Sequence, residues 1–134
     1  ENITLIEPAW KMILSTKGIL PILWELFPGH KNLLPSYFEP APLGNRYVKK
    51  PMFAREGANV ELVDGGARIA ATEGSYGREG YIYQALQPLP QFAGRYPVIG
   101  SWIVNGLAAG IGLREDDSPI TKNTSCFVPH YFID

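Results

Sequence analysis

The sequence predicts an α+β fold, with two N-terminal helices followed by a mainly antiparallel sheet. Three observations carry this. Apolar residues recur at helical spacing up to Phe27. Beyond Gly44 the apolar period shortens to the alternation of strands. The dipeptides Gly65-Gly66 and Asn105-Gly106, each between two such runs, are hairpin turns, which make their flanking strands antiparallel.

Pro8 to Phe27 reads as helix in two pieces. Pro8 suits a first helical turn, and Trp10, Ile13 and Leu14 form an i, i+3, i+4 stripe. Ser15-Thr16-Lys17-Gly18 interrupts the pattern. Ile19, Ile22, Leu23, Leu26 and Phe27 resume it, and Pro28-Gly29-His30 stops it. Asn32 to Gly44 is a proline-punctuated loop with Leu33, Leu34, Tyr37 and Phe38 as candidate anchors. Strands are expected at Arg46 to Lys50, Asn59 to Val63, Ala67 to Ala71 and Tyr81 to Leu86, with a glycine-rich loop from Glu73 to Gly80. Arg95 to Val104 and Leu107 to Leu113 form a further hairpin. Cys126 to Val128 and Tyr131 to Ile133 read as a final buried tail around Pro129.

Composition bounds the function. The 134 residues allow one domain or one part of a larger one, and 46% hydrophobic content is enough for a core. The 14 glycines and 12 prolines follow no period, which excludes a collagen-like chain and argues against disorder. Twelve basic against 13 acidic side chains leave no global field to attract nucleic acid. A single cysteine, Cys126, excludes an internal disulfide framework and a cysteine zinc knot and suits a reducing, cytoplasmic setting. No apolar stretch approaches the roughly 18 residues of a membrane-spanning helix, so no membrane partner is expected. The N-terminus carries no secretory pattern. It enters structure at once through Glu1-Asn2-Ile3-Thr4 without an initiating methionine, and reads as a processed or excised segment.

The stretch Lys49 to Gly57 offers a phosphate clamp. Strand alternation puts Lys50 on the same face as Val48, toward the protected side. An unpaired ammonium is expensive there, and a bound anion relieves the penalty. The alternative is a strand-end lysine whose stem is buried and whose head reaches solvent. Past it, Gly57 permits backbone geometry in which successive amides face a phosphate, and Arg55 adds a bidentate donor. Equally, Gly57 can be a bend and Arg55 can pair with a neighbouring acid. The segment matches neither the GK[ST] phosphate loop nor the three-glycine dinucleotide fingerprint.

Other candidates are weaker. Lys17, beside Gly18 at the helix break, can reach across a cleft or sit solvated. A free edge of the Tyr81 to Leu86 strand can read an adenine, with Gln84 supplementing it; a core strand with one glutamine explains it as well. Arg114 can stabilise a transferring phosphoryl group. Asp116 and Asp117 can hold magnesium, orient Arg114 or be solvated. His30 and His130 lie far apart and lack companion cysteines at zinc spacing, and no nucleophile elbow surrounds a serine or the cysteine.

Together, Trp10-Lys11, the run Ser15 to Trp24, Phe27-Pro28-Gly29-His30, Lys50-Pro51, Arg55-Glu56-Gly57, Ile82-Tyr83-Gln84 and Leu113-Arg114-Glu115-Asp116 resemble the C-terminal part of glutathionylspermidine synthetase. The resemblance runs through nearly the whole chain. It implies an ATP-grasp-like fragment of a ligase that uses ATP and magnesium to form an acyl phosphate, which an amine captures as an amide. It implies that Lys17 and Lys50 are nucleotide-contacting lysines, and that Glu56 and Gly57, with Arg55 before them, form a small loop over the phosphates. Gln84, Ala85, Leu86 and Gln87 then match the segment along the adenine, and Arg114 an arginine that stabilises the charged intermediate. Val98 and Glu56 depart from that pattern, standing where the family carries a polar nucleotide-site residue and a small thiol residue. The resembled magnesium ligands lie upstream of the matching region. Metal ligands are therefore expected outside this chain, none is assigned in it, and the isolated chain is expected to be inactive. The implied partners are the remainder of the parent domain, a peptide-like carboxylate and an amine or polyamine. A noncatalytic nucleotide-binding module, or a structural or interaction module, is the alternative; ATP binding and ADP production by the complete protein discriminate them.

Overall fold

A computed structural model describes residues 8–133, and the expected entry into structure at Glu1 to Thr4 lies outside them. The chain divides into two compact units, residues 1–86 and 87–134. The helices come first, every strand pairing among the described residues is antiparallel, and the fold is α+β.

The first helical piece, Ala9–Ser15, is a 3-10 helix, whereas the second, α1 (Ile19–Leu26), is an α-helix. The difference follows from burial. No residue of Ala9–Ser15 is buried, so its apolar stripe has no described layer to stabilise an α-helical face. In α1, Pro21 is buried, and the indole N–H of Trp24 donates to the Tyr37 hydroxyl at 3.1 Å.

The first unit's sheet is built from β1 (Ser36–Tyr37), β2 (Tyr47–Pro51), β3 (Glu61–Asp64), β4 (Ala67–Ala71) and β5 (Tyr81–Ala85), in the order β1-β5-β2-β3-β4. Gly65 and Gly66 have φ of 59° and 80°, the left-handed pair that a tight β3–β4 hairpin requires. The stretch expected as plain loop, Asn32 to Gly44, contains β1 and a short 3-10 turn, Ala41–Leu43. Of its expected anchors, Leu34 and Phe38 are exposed, and the buried residue is Ser36.

Directly opposed residues share a face. The register Ser36↔Gln84↔Val48↔Leu62 therefore runs along one face of the sheet, with Lys50↔Ile82 as the next row. This face is buried along most of its length: Ile82 is fully buried, as nearly is Ser36, and Val48, Leu62 and Gln84 are buried, while Pro51 and Val63 are buried on the other face. Lys50 does share a side with Val48, as alternation predicts. The opposite face carries Tyr47 and Tyr83 edge-to-face at 5.4 Å and the Lys49 ammonium 4.3 Å from the centre of the Tyr81 ring.

The second unit is a sheet of β6 (Tyr96–Val104), β7 (Leu107–Asp116) and β8 (Cys126–Val128) in that order. Asn105 and Gly106, at φ 50° and 77°, make the expected hairpin turn. The tail is not buried. Phe127, Tyr131, Phe132 and Ile133 are each more than three-quarters exposed, at 77%, 85%, 83% and 84%. Apolar composition alone does not bury a segment; a facing layer must cover it, and no described element of this unit does so. No helix among the described residues is long and apolar enough to cross a membrane.

Candidate functional site

The site grows from three backbone segments stitched at Met52. The Met52 carbonyl accepts the Lys17 amide at 2.9 Å and the Thr16 hydroxyl at 3.4 Å, while the Met52 amide donates to the Gly80 carbonyl at 3.0 Å. Gly18 is buried against Met52: a Cβ there would lie 3.5 Å from the Met52 sulfur and 3.2 Å from Thr16 Oγ1. The break between the two helical pieces is thereby pinned to the loop that follows β2. The Lys17 ammonium completes the join by donating to the Ala54 carbonyl.

The loop itself is bent by two consecutive left-handed residues, Glu56 at φ 57° and Gly57 at φ 71°. For Glu56 that conformation is strained and must be held from outside. Thr72 holds it: its hydroxyl bonds the Gly57 carbonyl and accepts the Val60 amide at 3.0 Å. Asn59, also left-handed at φ 53°, accepts the Tyr76 amide on its Oδ1 at 2.8 Å. The glycine-rich loop Glu73 to Gly80 thus braces the segment that carries Arg55.

Three cations gather on this scaffold. Burial lowers the Lys17 ammonium's pKa below its ordinary value, and the Arg55 guanidinium adds to the effect. Burial likewise lowers Lys50, and Lys17 adds to it. Each charge therefore lies within the field of another. None of the three forms an ion pair among the described residues, in contrast to Lys49, which pairs with Glu61 at 3.4 Å. A cluster of partly desolvated cations that forms no ion pair among the described residues has the charge and the N–H donors that suit an anion.

Gln84 departs from its expected setting. β5 lies between β1 and β2, and the two-residue β1 covers its outer edge at Tyr83 and Gln84, so Gln84 does not sit on a free edge. The Gln84 side chain is also turned inward: Oε1 accepts from Lys50 Nζ at 2.6 Å and Nε2 donates to Ser36 Oγ at 3.0 Å. Ala85 ends the strand, its amide donating to the Pro35 carbonyl at 2.8 Å. Leu86 is the last residue of the first unit and the exposed Gln87 opens the second.

Arg114 also belongs to the second unit. It lies on β7 opposite Val98 and Phe127, with its guanidinium carbon 5.8 Å from the centre of the Phe127 ring. The acids beside it do other work. Asp116 is buried, and its carboxylate accepts the Ser118 amide at 2.9 Å, the Ser125 hydroxyl, and the Lys122 ammonium at 3.2 Å. Burial pushes the Asp116 carboxyl up, but bonds from the Ser125 hydroxyl, the Ser118 amide and the Lys122 ammonium outweigh it and hold the group well below the usual carboxylate range. This carboxylate closes the loop between β7 and β8. Asp117 is exposed, 3.8 Å from Lys122. Among the described residues no three His, Cys, Asp or Glu converge as a metal site.

Thr16, Ser36 and Thr72 were invisible as site residues in the sequence. Their roles depend on pairings between distant segments, and only Ser36 carried a local hint, as a polar residue between apolar neighbours.

Fold and site together define an α+β protein with a cluster of cations that has no ion-pair partner among the described residues. The chain belongs to the family described as glutathionylspermidine synthase preATP-grasp, whose profile matches residues 1–133. It is 50% identical over 138 residues to a putative acid–amine ligase of Haemophilus influenzae, covering 96% of this chain and 35% of that protein. It is 37% identical to the trypanothione synthetase of Crithidia fasciculata, over 94% of this chain and 20% of that protein. It is 35% identical to the bifunctional glutathionylspermidine synthetase/amidase of Escherichia coli, over 96% of this chain and 21% of that protein. The chain thus spans about a fifth to a third of the length of these relatives, which are ligases.

Proposed function

We propose that this chain supplies one wall of the nucleotide site of an ATP-dependent carboxylate–amine ligase. The observation that carries the reading is the Lys17–Lys50–Arg55 cluster, whose charges weaken one another and have no ion-pair partner among the described residues. A polyphosphate fits it in sign and in hydrogen-bonding type. Lys50 and Arg55 offer N–H donors to phosphoryl oxygens, and the braced turn at Glu56-Gly57 lies over them. Lys17, tied to the Ala54 carbonyl, keeps the helix break against that turn. Ala85, Leu86 and Gln87 carry the chain past the adenine, and Gln84 acts from beneath, through Lys50.

ATP with magnesium would supply a γ-phosphoryl group in such a site: a carboxylate would take it with release of ADP, and an amine would then displace phosphate from the acyl phosphate, losing a proton, to give the amide. On this reading, magnesium ligands belong to the remainder of the parent protein, and the isolated chain is expected to be inactive. Arg114 neutralises charge that develops during transfer. The amide-forming class follows the relatives, with a peptide-like acid and an amine or polyamine as substrates. A need for ATP and the single free cysteine, Cys126, fit a cytoplasmic enzyme.

The test uses the full-length parent, calorimetric ATP titration and a steady-state assay of ADP release. Lys50→Met is expected to weaken ATP binding by about one to two orders of magnitude, the value of a charge-assisted hydrogen bond. Arg114→Ala is expected to lower turnover by roughly 10²–10³ with little change in ATP affinity. Undiminished ATP binding in Lys50→Met sinks the nucleotide assignment. ATP binding without ADP release across carboxylates and polyamines would favour a noncatalytic nucleotide-binding module; no saturable binding at all would leave a structural or interaction module.

A further inference from the structure

We infer that Ser36 is a positioning residue: its hydroxyl fixes the orientation of the Gln84 amide, and the amide in turn keeps an acceptor on the Lys50 ammonium. The inference rests on the reading of Lys50 as a phosphate-contacting cation.

Hydrogen-bond polarity dictates the arrangement. The Leu34 carbonyl can only accept, and Ser36 Oγ donates its one hydrogen to it at 2.9 Å. The Ser36 oxygen is then left with lone pairs, so it must face the N–H side of Gln84, and Nε2 donates to it at 3.0 Å. That choice turns Oε1 the other way, onto Lys50 Nζ at 2.6 Å. A flipped amide would set an NH₂ group against the ammonium, donor against donor. The chain Leu34–Ser36–Gln84–Lys50 therefore has only one sense, and its origin is a backbone carbonyl.

Burial keeps this sense in force. Ser36 is 1% exposed and Gln84 8%, so water cannot replace a missing partner cheaply. An ammonium has three donors, and one spent on Gln84 leaves two for an anion. The charged group that acts on Lys50 is the Lys17 ammonium, which is itself under the influence of Arg55. Its neighbour Lys49 and the acid Glu61 are occupied with each other. Gln84 Oε1 is thus the internal acceptor that stabilises Lys50 in its charged form before nucleotide arrives. Ser36 differs from a merely structural serine in that its loss must act on the protonation of Lys50.

The experiment is ATP affinity against pH, by calorimetry on the full-length parent from about pH 7 to pH 10, spanning the range into which a buried lysine descends. Ser36→Ala is expected to weaken ATP about tenfold at neutral pH and to move the alkaline loss of affinity to lower pH. Ser36→Cys, near in size with a weaker donor and acceptor, should move it less in the same direction. Gln84→Glu, which places a carboxylate on the ammonium, should move it to higher pH. If Lys50→Met loses ATP binding while Ser36→Ala shows an unmoved alkaline limb, Ser36 has no positioning role and the reading of Lys50 stands. Reduced thermal stability with an unmoved limb likewise overturns the positioning role. If Ser36→Ala does not fold, Ser36→Cys decides, and an unmoved limb there overturns the inference. ATP binding that survives Lys50→Met removes the reading of Lys50 and this inference together.

Discussion

Lys17 and Lys50 are both held below their ordinary pKa, by burial first and by a neighbouring cation second. The sign of the linkage follows. The unfolded chain binds these protons more tightly than the folded one, so without an anion stability rises as pH climbs from the lowered values toward 10.5. A bound polyphosphate reverses the imbalance, because it favours the charged lysines. Nucleotide binding in the alkaline range should therefore take up protons, which titrations in two buffers of different ionisation enthalpy will read as a buffer-dependent heat. Asp116 behaves oppositely. Its carboxyl is depressed, so it stabilises the fold above the ordinary carboxylate range and that contribution drains away as pH falls below it. Asp116→Ala strands the Ser118 amide and the Ser125 hydroxyl and should cost about 1–3 kcal/mol in chemical denaturation of the protein.

At the scale of elements, the glycine-rich loop acts as a brace whose glycines are constrained by contact. A Cβ on Gly74 would collide with Asn59 Oδ1, the acceptor of the Tyr76 amide. Gly74→Ala should therefore displace Asn59, slacken the left-handed turn at Glu56-Gly57 and weaken ATP binding severalfold in the full-length protein; unchanged affinity would mean that the brace does not govern the turn. The hairpins were legible in the sequence because Gly65-Gly66 and Asn105-Gly106 encode a local backbone requirement. So was the facing of Lys50, because alternation is also local. The position of β5 was not, because it depends on β1, within the proline-punctuated segment, pairing with Tyr83 and Gln84 on its outer edge. Nor was the difference between the two helical pieces, since spacing reports an apolar stripe without saying what will cover it. The candidate site was half visible. Its charged residues stand out in a sequence, whereas Thr16, Ser36 and Thr72 each need a partner 12 to 48 positions away to join the site.

Across the whole molecule, the apolar residues outnumber the places in which they are covered. Trp10, Met12, Ile13 and Leu14 are exposed on the first helical piece, as are Ile99, Trp102, Ile103, Val104 and Leu107 on the β6–β7 hairpin. Solitary exposed apolar residues need no explanation, but groups of them mark contact surfaces. The relatives are three to five times longer than the stretch they share with this chain. The isolated chain is accordingly expected to bind a hydrophobic dye such as ANS strongly. In the full-length parent, radical footprinting should find Trp10 and Trp102 protected, and equal labelling in both contexts would show that these faces stay open.

The two-residue strand β1 has a further consequence. Ser36 reaches Gln84 only while Ser36 and Tyr37 keep their register on β5, and a slip of one residue would turn Tyr37 onto that face instead. Whatever strengthens the Lys50 ammonium must then also tighten the docking of the segment around Pro35. Coupling of this kind is reciprocal. A phosphate held at one end of the sheet should slow hydrogen exchange at the Ala85 amide, which is bonded to the Pro35 carbonyl, and loosening that short strand should be felt as a weaker grip on phosphate.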